Sequence, residues 1–383
     1  MLILGLALLI GAFAGSAALC GVVRRIAPRI GLVCRPGGHR QHGREVPLGG
    51  GLAMLATIGL AMLGGAAVIY LIAPWRGDWL PAALVNDPRI LEGLRWKMPG
   101  GLVMLAGAAA LCGLGLIDDY RPLGPMVKLV VEFVVVGAVV GALLGMFGQD
   151  IHAAEFLPAP ASAAVSVVWI VLMINSVNFL DNMDGLAGGV VMLCGSFLVA
   201  AGAINGQFFV PGLMLVVIGS AGGFLMHNFP PARLFMGDSG SLVLGYFVGL
   251  LSVLTVFTTD AAHQQAAVLM PLVMMAIPLY DTATVILVRI IKRRRLLKGD
   301  RNHFSHRLAA RGMSDRAVLA AVCLATCATG LASVFLAQLP QRLAWVVFAQ
   351  TLCVLGVIGF VEWHWAAPAS PSAPASEQND KSK

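Results

Sequence analysis

The sequence predicts an all-α fold: a polytopic integral membrane protein of about eleven transmembrane helices, with its polar groups carried in loops on the cytoplasmic side. Three observations lead there. Of 383 residues, 58% are hydrophobic and 12% charged, and the mean hydropathy is +0.85, a composition outside the soluble globular range. Apolar runs of the length that crosses about 30 Å of hydrocarbon recur at 2–23, 49–73, 101–117, 127–147, 162–180, 186–203, 210–227, 240–258, 265–290, 317–337 and 343–365. When the intervening loops alternate in side, 21 of the 26 Lys and Arg residues fall on one face and five on the other; the basic face is the cytoplasmic one.

The first run has Arg24, Arg25 and Arg29 behind it and no basic residue ahead, the reverse of a cleaved signal peptide. It reads as a retained span with an extracytoplasmic N-terminus, and Cys20 on it as a packing residue. Between 49–73 and 101–117 lies an extracytoplasmic loop with Trp75, Trp79 and Trp96, which read as interfacial anchors or as contacts in a homodimer. The third run ends at Asp118 and Asp119, the fourth opens near Lys128 with Glu132 one helical turn deeper, and the fifth ends in a stretch rich in amides and acids. The sixth opens on Ala187, Gly188 and Gly189, the seventh carries no Asp, Glu, Lys or Arg, and the eighth follows Asp238. The ninth holds Asp281, about 12 Å from its Arg289 end by helix rise, and 317–337 and 343–365 complete the set. Residues 1–366 thus form one membrane-embedded domain, and the Pro/Ala/Ser-rich stretch 367–383 reads as a disordered tail.

The net charge of +7, concentrated on the cytoplasmic face, attracts anionic lipid headgroups and anionic substrates. Lys292-Arg293-Arg294-Arg295 directly follows a span, so it reads as an orientation anchor and not as a nucleic-acid site. Seven scattered cysteines with no metal-ligand spacing imply no disulfide framework.

Four polar islands share the cytoplasmic face. The first, Gly115 to Tyr120, holds Asp118 and Asp119; adjacent carboxylates repel unless a cation or a shared proton offsets them, although a solvated turn also tolerates the pair. Lys128 either neutralises Glu132 at the membrane edge or meets a phosphate. The second sets Asn175, Asn178, Asp181, Asn182 and Asp184 within ten residues, ahead of Gly185 and a helix start near Leu186 whose free N–H groups suit an anion. Packing alone does not explain so many acids and amides. In the third, Phe235 to Ser241, Asp238 reads equally as a helix cap and a metal ligand, and Phe235 as an interfacial aromatic or a surface on which a base stacks. The fourth, Gly299 to Arg307, places His303 and His306 between Arg301 and Arg307, a pattern suited to phosphate binding or proton transfer. The acids elsewhere favour a hard, oxygen-coordinated ion such as Mg²⁺ over zinc. Asp281, inside a span, is either functional or paired with another polar group.

In order and spacing, these islands resemble the signatures of the polyprenyl-phosphate N-acetylhexosamine-1-phosphate transferase family, of glycosyltransferase family 4 type. Those signatures are an Asp-Asp pair with a downstream Lys, an Asn-x-x-Asn-x-x-Asp block, a Phe-Met-Gly-Asp-x-Gly-Ser block and a His-containing last cytoplasmic loop. Arg40-Gln41-His42, Val46 to Gly50 and Pro278 to Thr282 also match, and the resemblance covers residues 25–315. It implies a transferase of the bacterial cytoplasmic membrane that depends on Mg²⁺, with Mn²⁺ as the alternative, and has an active site formed by cytoplasmic loops and a cytoplasmic C-terminus. Undecaprenyl phosphate would attack the β-phosphorus of a UDP-N-acetylamino sugar, releasing UMP and initiating cell-envelope polysaccharide synthesis. By the same resemblance, Asp238 and Asn178 are metal ligands, and Asp118 and Asp119 serve the lipid phosphate, one of them deprotonating or orienting it. Asp181 is a further catalytic candidate, its covalent role open and direct attack by the lipid phosphate the simpler course. Lys128 would hold phosphate, Asn175 would bind substrate, Asp184 and Phe235 would contact uridine, and Arg301, His303 and His306 would meet the sugar phosphate.

His303-Phe304-Ser305-His306 departs from the three-histidine cluster of the muramoyl-pentapeptide branch. The first loop fits the N-acetylglucosamine type better, although Cys34 stands for an expected Asp and Glu45 for an expected Pro. The expected donor is therefore UDP-N-acetylglucosamine or a close epimer, with phospho-MurNAc-pentapeptide transfer as the alternative. A transporter is the competing class; its polar sites usually lie near the midplane, where only Asp281 favours it. Met183 to Gly188 is similar on the surface to the CDP-alcohol phosphotransferase motif but lacks the following Ala-Arg and the spaced aspartates.

Overall fold

The computed structural model describes residues 2–34, 45–72, 88–147, 158–257, 268–293, 303–336 and 338–364. Arg40 to His42, Trp75, Trp79, Arg301 and the 367–383 tail lie outside the described residues. Helices run as α1 (Leu2–Ile26), α2 (Gly50–Ala67), α3 (Pro88–Tyr120), α4 (Pro125–Phe147), α5 (Ala159–Leu180), α6 (Leu186–Ile204), α7 (Phe209–Asn228) and α8 (Asp238–Leu254). They continue as α9 (Leu269–Met274), α10 (Ala276–Ile291), α11 (Phe304–Ala309), α12 (Asp315–Gly330), α13 (Ser333–Leu336) and α14 (Gln341–His364).

Nine of the described helical segments are long and apolar enough to cross a membrane: α1 to α7, α12 together with α13, and α14. Their outward faces carry exposed apolar side chains such as Ile3 and Ile10 on α1, Val130 and Val134 on α4, and Val357 and Phe360 on α14. Water would penalise so continuous an apolar surface, whereas hydrocarbon accepts it because each helix satisfies its own backbone.

Two of the expected spans differ. The eighth is α8, only 17 residues long, with every residue from Ser239 to Val253 buried. It rises about 26 Å and forms the hub of the bundle, packed by α2, α3, α5, α6 and α7. The ninth breaks at Met275 into α9 and α10. Pro278 falls in the first turn of α10, where a missing N–H removes no intrahelical bond. The third span is longer than its apolar run, 33 residues from Pro88 to Tyr120 or about 50 Å, so its Arg95-Trp96-Lys97 end extends past a hydrocarbon layer of about 30 Å.

Small residues let the hub helix approach its neighbours closely. A Cβ at Gly51 would sit 2.2 Å from the Gly240 nitrogen, and one at Gly245 would sit 2.6 Å from the Ile174 Cα; backbone-to-backbone packing of this kind requires the hydrogen side chain. A short ribbon closes the first loop: β1 (Val33–Cys34) pairs antiparallel with β2 (Val46–Pro47), Val33 opposite Pro47. The Phe235 N–H donates to the Pro47 carbonyl at 2.9 Å, and the N–H groups of Gly50 and Gly51 donate to the Phe235 and Met236 carbonyls at 3.0 and 3.1 Å. These main-chain bonds tie the third island to the first loop. Cys20 is fully buried, and all seven cysteines are free thiols.

Candidate active site

Asp118 closes α3, Lys128 opens α4 and Asp238 opens α8, three helix ends that meet at one end of the bundle. The Lys128 Nζ donates to Asp238 Oδ2 at 2.5 Å and to Asp118 Oδ2 at 3.2 Å. The three side chains keep 20%, 27% and 15% exposure for Lys128, Asp238 and Asp118 respectively, so a ligand can reach them. Asp118 is held in turn by the Leu123 N–H, which donates to its Oδ1 at 2.7 Å. Lys128 therefore serves the two aspartates, and Glu132 finds a different partner: its Oε2 accepts from Asn175 Nδ2 at 2.6 Å. The intrahelical Lys128–Glu132 neutralisation read from sequence gives way to this arrangement because α5 delivers an amide donor to the buried carboxyl.

Asp119 does something adjacency in sequence does not reveal. Its Oδ1 accepts the Asp238 N–H at 3.0 Å and its Oδ2 the Ser239 N–H at 3.4 Å. A carboxylate from α3 thus caps the positive N-terminal end of α8. Asp238 is the first residue of that helix, and its own cap position is Gly237, which has φ 69° and makes no side-chain cap bond. A Cβ at Gly237 would lie 2.4 Å from Asp119 Oδ2, and one at Gly115 would lie 2.3 Å from the Ser239 nitrogen. Glycine at both places is what lets the two helix ends dock.

The second island surrounds this centre. Asn178 Nδ2 donates to Ser241 Oγ at 2.8 Å, which holds the amide at the first turn of α8, the turn that Asp238 opens. Asp181, at the α5 C-cap, and Asp184 are buried; Asp184 Oδ2 accepts the Ala232 N–H at 2.8 Å. Gly185, with φ 75°, precedes the first turn of α6 at Leu186, where the sequence placed it, and its N–H is taken by Asn228 Oδ1 at 2.8 Å. Phe235, expected to stack on uridine or lie at the interface, is only 3% exposed and packs with Ala27, Leu32, Val46, Leu48 and Ala232. Its ring builds the floor of the first loop and presents no open stacking face.

The fourth island contacts the second island and α10. Ser305 Oγ donates to Asn182 Oδ1 at 2.6 Å, and His303 Nδ1 lies 2.9 Å from Asp281 Oδ2. Asp281 is fully buried and answers the open question about its role: it is paired with the histidine loop. The His306 ring stands 6.3 Å from that of His303. Arg307 forms a forked pair with Glu362 of α14, Nε to Oε1 and Nη2 to Oε2, each at 3.0 Å. Burial works against the guanidinium charge, but the hydrogen bonds and charge of Glu362 raise the Arg307 pKa above its ordinary value.

No motif in the sequence marks Glu362 or the contact of Arg289, whose guanidinium lies 5.5 Å from the centre of the Phe179 ring. An ionisable residue inside an apolar run was the available signal for both.

Residues 101–256 match the family described as Glycosyl transferase family 4. The chain is 30% identical over 297 residues to a probable undecaprenyl-phosphate N-acetylglucosaminyl 1-phosphate transferase of Bacillus subtilis (strain 168), covering 77% of this chain and 74% of that protein. It is 26% identical over 362 residues to the undecaprenyl-phosphate alpha-N-acetylglucosaminyl 1-phosphate transferase of Yersinia pestis, covering 92% and 90%. A shorter match, 44% over 96 residues, links 24% of this chain to 29% of the phospho-N-acetylmuramoyl-pentapeptide-transferase of Chlamydia muridarum (strain MoPn / Nigg). The long matches fall on the N-acetylglucosamine side, as the two-histidine loop does, and with the joined islands and the polytopic helical fold they establish that the chain belongs to glycosyl transferase family 4.

Proposed function

We propose that this chain transfers N-acetylglucosamine 1-phosphate from UDP-N-acetylglucosamine to undecaprenyl phosphate, forming a lipid-pyrophosphate-linked sugar that initiates cell-envelope polysaccharide synthesis. The observation that carries this reading is the Lys128 ammonium held between Asp118 and Asp238 where three helices end. An oxygen of the lipid phosphate bonds to the β-phosphorus of the donor. The bond from that phosphorus to the oxygen bridging toward the α-phosphorus breaks, and UMP leaves with that oxygen. One pyrophosphate replaces another, so no further energy source is required. Two anions must meet in line, which makes charge neutralisation and positioning the protein's main tasks.

The donor set fits Mg²⁺, with Mn²⁺ able to substitute. Asp238 and Asp118 direct carboxylate oxygens at one cation, here an ammonium, and Asn178 adds an amide beside them. Among the described residues no group of three His, Cys, Asp or Glu could hold a metal; Mg²⁺ commonly takes only one or two carboxylates and shares the rest of its shell with phosphates and water. Asp238 would hold the ion, with Asn178 as the second ligand once its amide turns, and the ion would supply neutralising charge to the donor pyrophosphate. Lys128 exchanges a carboxylate for a phosphate, Asp118 orients the acceptor, and Asp119 keeps Asp238 in place by capping α8. Asn175, Asp181 and Asp184 shape the donor side, and Arg301, His303 and His306 meet the sugar phosphate. The Lys and Arg asymmetry supports a cytoplasmic site and C-terminus with the N-terminus outside.

A panel of radiolabelled UDP-sugars, incubated with the purified protein, undecaprenyl phosphate and Mg²⁺, tests the reading. UMP release from UDP-N-acetylglucosamine is expected. Release only from the muramoyl-pentapeptide nucleotide would move the chain to the other branch, and release from no donor would remove the activity altogether.

A further inference from the structure

Asp281 lies in α10 with no exposed surface, yet both of its oxygens are engaged by the histidine loop. Oδ1 accepts the Phe304 N–H at 2.6 Å and Oδ2 faces His303 Nδ1 at 2.9 Å. An ionised carboxylate can only accept a hydrogen bond, so with Asp281 ionised the proton of this contact sits on Nδ1. The remaining ring nitrogen, Nε2, lies across the imidazole from Asp281. Aromatic packing holds the ring as well: the Phe179 ring meets it edge-on at 5.7 Å. The backbone bond to Phe304 fixes the start of α11, so the same carboxylate sets both where the histidine sits and which tautomer it adopts. Pairing of an imidazole Nδ1–H with a buried carboxylate is the device that aims Nε2 at a reacting group in other sites.

We propose that Asp281 is a positioning residue for the transfer reaction: it holds His303 as the Nδ1-protonated tautomer, leaving Nε2 to accept a hydrogen bond from a hydroxyl of the donor's sugar. This rests on the transferase reading above for its consequence, but the tautomer itself does not. Ser305, hydrogen-bonded to Asn182, ties the histidine loop to the second island, so displacement of His303 reaches the donor side of the site.

Asp281→Asn provides the discriminating variant. It has nearly the same shape and can still accept the Phe304 N–H, but its amide donates toward Nδ1 and selects the opposite tautomer. Nitrogen NMR of protein labelled with ¹⁵N in histidine, with His303→Gln used for assignment, should show a protonated Nδ1 in the wild type and a protonated Nε2 in Asp281→Asn. In the UMP-release assay, Asp281→Asn should lose about 10–100-fold in kcat, the usual scale for removing an orienting partner, with the KM for undecaprenyl phosphate within about threefold of wild type. Because Asp281 acts through His303, the double variant Asp281→Asn/His303→Gln should be no slower than His303→Gln alone, a non-additivity expected of coupled residues. A wild-type His303 with bare Nδ1, a kcat for Asp281→Asn equal to wild type, or multiplied losses in the double variant would each overturn the proposal. A wild type that releases no UMP would instead sink the transferase reading, with the NMR result still deciding the tautomer.

Discussion

At the scale of single residues, the centre of the site is one ammonium between two carboxylates. If Lys128 neutralises phosphate in the transition state, Lys128→Ala should reduce kcat by about 10²–10³-fold, the scale for deleting one electrostatic stabiliser, as read from initial rates of UMP release. Asp119 is a different case from its neighbour Asp118, because it caps a helix on another segment. Asp119→Ala should therefore lower stability by about 1 kcal/mol, the ordinary worth of an N-terminal cap, measured by thermal unfolding in detergent, while Asp119→Asn, which keeps one acceptor, should lose less. Equal unfolding temperatures for Asp119→Ala and wild type would remove the capping role. Both aspartates were visible in the sequence as a pair, but their division of labour was not. Partners more than a hundred residues away decide it, and no local pattern encodes them.

At the scale of elements, α8 is the piece on which the site depends, since it carries Asp238 and is enclosed on all sides. Gly51→Ala would push a methyl into the Gly240 backbone at 2.2 Å, where nothing flexible can yield. Overpacking of this kind costs about 1–3 kcal/mol, and it should show as a lower unfolding temperature and weaker UMP release together. The histidine loop has its own anchor: Glu362 on α14 accepts from Arg307 twice and from Tyr280 Oη at 2.6 Å. Glu362→Ala leaves a half-buried guanidinium without its forked partner and should cost about 2 kcal/mol, again read as unfolding temperature; no change would mean that α14 does not hold the loop. The apolar runs announced helices α1 to α7 and α14 well, because length and hydropathy suffice for lipid-facing spans. They could not reveal that 240–258 is a short interior helix or that 265–290 breaks at Met275. A fully enclosed apolar helix reads the same as a lipid-exposed one.

At the scale of the whole molecule, the fold gathers four separated islands at one end of a bundle, and the proposed orientation turns that end to the cytoplasm. In protein with all native cysteines replaced, Arg342→Cys should react with a membrane-impermeant maleimide added to intact cells, and Arg121→Cys only after permeabilisation; the reverse labelling would invert the topology. The islands were legible as a set because their order and spacing are distinctive, and the functional class followed from that order. The pairing of Asp281 with His303 and of Glu132 with Asn175 was not legible, since an intramembrane acid announces that it has a partner without naming it. The most direct measurement is UMP release from UDP-N-acetylglucosamine and undecaprenyl phosphate in Mg²⁺, compared between the wild type and Asp238→Ala. Robust release by the wild type, abolished by chelation and restored by Mg²⁺, with loss of all but a trace in Asp238→Ala, is the predicted result; full activity in Asp238→Ala would contradict a site centred on Asp118, Lys128 and Asp238.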